Sequence, residues 1–160
     1  MIGYDDQLCT EVARNSAFEL GREIAKAGAV LVCGGLGGVM EAACRGAKEE
    51  DGFTVGIIPS DDSSQANKHC DVVIVTGAGF VRDFFVVYSA DAVIVVGGGS
   101  GTLTELSAAY QKSKPLISVT GTGGVADKFA GQYIDERRNV RVLAASSPSD
   151  AVRKALNEIR

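Results

Sequence analysis

The residues best suited to chemistry stand together in Gly97-Gly-Gly-Ser-Gly101-Thr-Leu-Thr-Glu105. Glycines at 97, 98, 99 and 101 let the chain turn tightly and bring backbone N–H groups close to a ligand, because no Cβ stands in the way. The apolar run Ala92–Val96 precedes them, and a helical pattern follows from Thr102, with Leu103, Leu106 and Tyr110 spaced to share one face. A strand, a glycine turn and a helix start make an anion site, since the first helical turn leaves N–H donors unpaired and its dipole favours negative charge. Gly98, Gly99, Ser100, Gly101 and Thr102 are therefore candidate phosphate-binding residues. A second such turn, Gly34-Gly-Leu-Gly-Gly38, follows the apolar run Ala29–Cys33 and leads into Val39-Met40. It adds Gly34, Gly35, Gly37, Gly38 and Met40 as candidates for the same ligand. Glu105 reads two ways. Thr102-Leu-Thr-Glu105 has the form of a capping box, in which the carboxylate bonds back to the helix start; otherwise that carboxylate is free to act on a ligand.

Neither turn is a common nucleotide fingerprint. G-x-G-x-x-G/A fails because Thr102 occupies the last position, and no Gly-Lys pair exists for a P-loop. The single histidine, His69, has no partner at metal-ligand spacing, so neither a zinc site nor a His-based triad is expected. The four cysteines are scattered without a C-x-x-C pair. Cys33 and Cys44 fall in strand and helix patterns, where cysteine acts as a small hydrophobe.

The elements that must position these turns alternate along the chain. Helices are expected over Thr10–Lys26 (Thr10 as cap, Gly28 as stop), Val39–Lys48, Phe80–Ser89, Val125–Tyr133 and Pro148–Arg160. Strands are expected at Met1–Tyr4, Ala29–Cys33, Thr54–Ile58, Asp71–Val75, Ala92–Val96, Pro115–Val119 and Val140–Leu143. Only two apolar residues precede Gly3, so the first strand reads as truncated. Ser60–Asn67 is polar and aperiodic, a surface loop that is either solvated or closes over a ligand. The alternation predicts an α/β fold: one Rossmann-like, doubly wound domain over 1–160, with a mostly parallel sheet of six or seven strands in the order 3-2-1-4-5-6. Ligands of such sheets bind outside the carboxyl ends of the strands, where both glycine turns would open.

Net charge is −4 across 160 residues, which argues against general nucleic-acid binding. No apolar run is long enough to span a bilayer and no signal peptide is visible, so a cytoplasmic protein with no membrane partner is expected.

With both motifs quoted, the sequence resembles the LOG family, long labelled "possible lysine decarboxylases", and within it the short prokaryotic branch similar to molybdenum cofactor carrier proteins. The resemblance covers essentially the whole chain. The family's second motif reads P-G-G-x-G-T-x-x-E, which Gly98–Glu105 matches with Gly97 in place of proline. The family's active arginine lies 23 residues before that glutamate, and Arg82 stands 23 positions before Glu105. The resemblance implies hydrolysis of the N-glycosidic bond of a nucleoside 5′-monophosphate, with Arg82 and Glu105 catalytic and no cofactor. Glu105 would stabilise the sugar cation or activate water, and Arg82 would orient Glu105 or contact the phosphate. The alternative is a carrier or sensor of a phosphorylated pterin or nucleotide. Two departures place carboxylates near the anion site: Asp83 where the plant enzymes have lysine, and Glu41 where they have glycine. Decarboxylation is not expected, since no lysine sits in a pattern suited to a pyridoxal phosphate Schiff base. A homodimer or dimer-based tetramer is implied, with Phe84, Phe85 and Tyr88 near its interface.

Overall fold

In the computed structural model, which describes residues 1–159, seven short strands alternate with helices. The strands are β1 (Ile2–Gly3), β2 (Leu31–Cys33), β3 (Thr54–Ile58), β4 (Val72–Val75), β5 (Val93–Val96), β6 (Leu116–Val119) and β7 (Val142–Ala145). The helices are α1 (Glu11–Lys26), α2 (Val39–Glu49), α3 (Arg82–Tyr88), α4 (Ser100–Gln111), α5 (Gly124–Phe129) and α6 (Pro148–Glu158), with 3-10 turns at Ser63–Gln65 and Gly79–Val81. All pairs between these strands are parallel. They form two ladders, β2-β3-β4 and β1-β5-β6-β7. The Met1 ammonium donates to the Val32 carbonyl at 2.8 Å and stitches β1 to β2. The strands therefore run 4-3-2-1-5-6-7, with one buried cluster between the sheet and α1, α2 and α6 and another beneath α3, α4 and α5.

The fold class is the one expected; the strand order is not. The order 3-2-1-4-5-6 would set the fourth strand beside the first, whereas β4 pairs with β3 at the outer edge and β5 stands beside β1. Burial accounts for the exchange. Every residue of β5 is buried, while Val72, Ile74 and Val75 of β4 are exposed. The fully buried β5 takes an interior place beside β1 and the exposed β4 takes the edge. The link from β3 to β4 is a loop with one 3-10 turn instead of a helix that would carry the chain across the sheet.

Smaller differences have local causes. The last strand starts two residues later than the expected Val140, because Arg141 turns back to bridge Tyr133 antiparallel. The helix expected to reach Tyr133 stops at Phe129, and Gly131 at φ +75° turns the chain out of it. The closing helix runs to Glu158, and its expected end at Arg160 lies outside the described residues. No helix among the described residues is long and apolar enough to cross a membrane.

Helix α1 begins as its sequence dictates, with Thr10 Oγ1 accepting the Ala13 N–H at 3.1 Å. It then packs on α2 backbone to backbone. A Cβ at Gly21 would stand 1.9 Å from the Ala43 carbonyl oxygen, and one at Gly46 1.9 Å from that of Phe18. In an exposed helix, replacing Gly46 by alanine would gain roughly 0.5–1 kcal/mol. Here the methyl would force the helices apart, and overpacking typically costs about 1–3 kcal/mol. Gly46→Ala is accordingly expected to lower the denaturant midpoint; a raised midpoint would refute the contact.

Candidate functional site

The carboxyl ends of β1, β2 and β5 open onto a cavity of about 440 Å³. The second glycine motif supplies Gly99, Ser100, Gly101, Thr102 and Glu105 to its wall, and the first supplies Gly34 and Met40. Arg82 and Asp83, the first residues of α3, complete the polar lining with Asp5. Gly35, Gly37, Gly38 and Gly98 stand behind the wall. Sequence reasoning left out Tyr4, Asp5, Leu8, Leu36, Pro59 and Phe80, which also face the cavity. Only the turn residues just after the first strand offered a signal, since that strand ends at the same rim.

Helix α4 is aimed by its glycines. Gly97 (φ +62°) and Gly98 (φ +109°) adopt backbone angles that other residues rarely take. The carbonyls of both are held by the start of α5, accepting N–H groups of Ala126 and Val125 at 2.9 Å. The helix then opens at Ser100 with Gly99 as its N-cap and no side chain capping it. Its first-turn N–H groups are left to the cavity, with the positive end of the helix dipole behind them. The Thr102 hydroxyl is used inside the protein, donating to the Gly3 carbonyl at 3.1 Å.

That start two residues before Thr102 removes the capping-box reading of Glu105, since Thr102 lies inside the helix and Gly99 is the cap. The buried face carries Thr102, Glu105, Leu106, Ala109 and Tyr110; Leu106 and Tyr110 lie inward as expected, whereas Leu103, expected to share their face, is exposed. Glu105 is thus carried inward at the mouth of the sheet.

The first glycine turn is built differently. Asp6 reaches across so that Oδ1 accepts the Gly38 N–H at 2.7 Å, and a Cβ at Gly37 would stand 1.8 Å from Asp6 Oδ2. The Val39 N–H goes to the Tyr4 carbonyl at 3.0 Å and the Gly35 N–H to Cys33 Sγ at 3.4 Å. The start of α2 is therefore occupied by the protein's own carboxylate. Gly34 serves the cavity in another way: a Cβ there would stand 2.0 Å from Arg82 Nη1 and 2.7 Å from Met40 Sδ. Its bare face makes room for the guanidinium.

Three carboxylates, Asp5, Asp83 and Glu105, share the lining with the Arg82 guanidinium and with Met1, whose ammonium pulls on Glu105 in the same sense as Arg82. Glu105 is 7% exposed, and its pKa is pushed up to about 8, first by burial and then by the Asp83 charge, against the pull of Arg82. Burial also raises Asp83, again opposed by Arg82. Arg82 Nε lies 3.6 Å from Asp83 Oδ1, and this buried nitrogen has no hydrogen-bond partner among the described residues. A proton held by Glu105 at neutral pH, a guanidinium with a donor to spare and an uncapped helix start suit an anionic ligand with an acid–base step beside it. Glu41 is half-buried in the first turn of α2 and does not line the cavity.

Comparison with known proteins places this architecture. Residues 1–152 match the family described as the SLOG cluster4 family. A cytokinin riboside 5′-monophosphate phosphoribohydrolase of Mycobacterium tuberculosis is 37% identical over 154 residues, covering 86% of this chain and 82% of that protein. The molybdenum cofactor binding protein of Rippkaea orientalis superposes with a TM-score of 0.85 at 35% identity, covering 96% and 91% of the two chains. The molybdenum cofactor carrier protein of Chlamydomonas reinhardtii does so at 0.84 and 32%, covering 99% and 94%.

The raised pKa of Glu105 has a sign that a melt can read. The folded protein keeps this proton to about pH 8 while the unfolded chain loses it near its ordinary value of 4.5. The stabilisation is complete below pH 4.5 and is lost as pH rises through about 8, on the order of a few kcal/mol. Glu105→Gln removes this term. Its melting temperature is expected to gain on wild type from pH 5 to about pH 8 and to level off above that, and parallel curves would show that Glu105 ionises freely.

Proposed function

Because this chain belongs to the SLOG cluster4 family of LOG-like Rossmann proteins, we propose that it binds a nucleoside 5′-monophosphate and hydrolyses its N-glycosidic bond. The observation that carries this reading is the grouping of Arg82, Asp83 and Glu105 beside the uncapped start of α4. The named activity of the mycobacterial relative supports it.

The phosphate is received by N–H groups at the start of α4, chiefly those of Ser100 and Gly101, and by Arg82 from the opposite wall. Ribose and base then face Tyr4, Leu36, Met40 and Phe80. As the bond from C1′ to the base nitrogen lengthens, positive charge develops on the sugar. Glu105, protonated at neutral pH, gives its proton to the departing nitrogen. Asp83 faces the sugar as a carboxylate, stabilises the cation and takes a proton from the water that adds to C1′. The products are free base and ribose 5-phosphate, and the two carboxyls regain their protonation by exchange with solvent.

A second reading, a carrier of a phosphorylated pterin without turnover, is supported by the two molybdenum cofactor proteins that share the fold at 32–35% identity. Chromatography separates the readings. Repeated release of free base from nucleoside monophosphates supports hydrolysis, and tight binding with no product supports carriage. In the enzyme, Glu105→Gln is expected to cut kcat at least about 100-fold, as for loss of a general acid, with ligand affinity within a few-fold. Wild-type turnover in that variant would remove Glu105 from the chemistry.

The exposed apolar belt over Val72, Ile74, Val75, Val81, Phe85 and Tyr88 is, on this proposal, the face of a homodimer or dimer-based tetramer. Phe84 is half-buried against the core and packs on Tyr88 with ring centroids 6.1 Å apart. Phe80, 91% exposed at the rim of the cavity, would be covered by the same partner. Light scattering at micromolar concentration is expected to give a multiple of the chain mass and Phe85→Glu the single chain mass. A monomeric wild type would overturn the assignment.

A further inference from the structure

Three of the four cysteines, distant in sequence, meet behind the first glycine turn. Cys33 ends β2, Cys44 lies within α2 and Cys70 precedes β4. The Sγ atoms of Cys33 and Cys44 are 3.5 Å apart and those of Cys44 and Cys70 4.0 Å apart, and all three are free thiols. Cys33 and Cys44 are fully buried, whereas Cys70 is partly exposed. Among the described residues no cluster of His, Cys, Asp or Glu is arranged to hold a metal ion. The chemistry left to this group is that of sulfur on sulfur.

We propose that Cys70, Cys44 and Cys33 form a thiol relay that takes oxidising equivalents from a hydroperoxide at Cys70 and stores them as an internal disulfide on Cys44. In the first step the Cys70 sulfur attacks one peroxide oxygen. An S–O bond forms, the O–O bond breaks and, for hydrogen peroxide, water leaves, giving Cys70 sulfenic acid. In the second step Cys44 attacks the Cys70 sulfur, the S–S bond forms and the hydroxyl departs as water. Two thiols are oxidised by two electrons and one peroxide is reduced to two waters. Cys33 then attacks Cys44 by thiol–disulfide exchange, which returns Cys70 to the thiol and moves the bond to the fully buried pair.

The surroundings favour this path over further oxidation of Cys70. Asn67 holds the cluster from the solvent side, its Nδ2 donating to the Leu36 carbonyl at 3.1 Å and to Cys44 Sγ at 3.9 Å. Gly56 leaves the space that Cys70 fills, since a Cβ there would stand 2.6 Å from Cys70 Sγ. Cys33 Sγ accepts the Gly35 N–H at 3.4 Å, and hydrogen bonds from the neighbouring thiols and this N–H pull its pKa below the ordinary thiol value. This suits Cys33 to the final attack. The same contacts push the Cys70 thiol up to about 12 and raise Cys44 as well, so the first two attacks draw on a small thiolate fraction and the relay rests on the proximity of the three sulfurs. Forming a bond of about 2.05 Å draws Cys33 and Cys44 together directly behind Gly34 and Leu36. The stored oxidation therefore acts on the cavity wall, although the relay itself does not depend on what the cavity binds.

Cys9 provides the control, since its thiol only reaches the Thr10 carbonyl and no second sulfur. The test uses the full chain with Cys9→Ser, treated with limiting hydrogen peroxide and read by intact mass and peptide mapping. The expected product has the mass of a single chain with no interchain disulfide, lighter by two hydrogens, with Cys44 joined to Cys70 early and to Cys33 later, and is reversible by dithiothreitol. Cys70→Ala is expected to slow disulfide formation at least tenfold. In Cys44→Ala, Cys70 should accumulate as sulfinic acid. Three alkylatable thiols after treatment, sulfinic acid on Cys70 with Cys44 in place, or an unchanged rate in Cys70→Ala would each overturn the relay. Should Cys44→Ala fail to fold, the partly exposed Cys70 variant and the time order of the two disulfides still decide it.

Discussion

The guanidinium of Arg82 lies against the bare face of Gly34, and the carboxyl rim depends on that contact. A single methyl at position 34 would meet Nη1 at 2.0 Å. The contact joins the end of β2 to the start of α3, two pieces of chain that the sheet alone leaves apart. It also sets the local electrostatics. Among the described residues Arg82 is the one cationic side chain of the lining, with Asp83 and Glu105 within its field. Without it, two buried carboxyls would face each other uncompensated, an arrangement proteins relieve by holding on to a proton. With it, the pair stays near the point where one proton can be given and another taken.

The elements were legible in the sequence because local chemistry specifies them. Thr10 and the 3.6-residue spacing from Ala13 to Ile24 marked α1 to within one residue, and the unbroken run before Gly97 marked a strand buried on both faces. Both glycine turns, and the pairing of Arg82 with Glu105 at one cavity, were visible as well. What escaped was set by contacts distant in the chain. Strand order follows from which strands are covered on both faces and which, like β4, are left at an edge once the whole sheet has formed. Asp6 reads as a turn residue until the fold sets it against Gly38. Leu103 of α4 looked like an inner residue from its spacing to Leu106 and Tyr110, but the buried face lies to the other side of those two and takes in Glu105, so the leucine is exposed and the carboxyl lines the cavity.

The starts of α2 and α4, both at the rim, have opposite fates. At α2 the Asp6 carboxylate satisfies the Gly38 N–H, so the helix dipole there is answered from within the protein. At α4 no side chain does so. Two glycine turns of similar sequence thus divide the labour. One becomes a structural joint that seats Arg82 and covers the thiol cluster, and the other keeps its donors facing the cavity.

The backbone contact between α1 and α2 has a consequence for the traffic of molecules. Because Gly21 and Gly46 let the two helices touch without side chains between them, the wall they support can move only as one heavy block. The opposite side of the cavity is Pro59, Gly79 and Phe80, a 3-10 turn whose central ring is almost wholly in solvent. Phe80 and Val81 also belong to the face proposed to meet a second copy of the chain, so on that proposal assembly narrows this side of the mouth and ties occupancy of the cavity to the state of assembly.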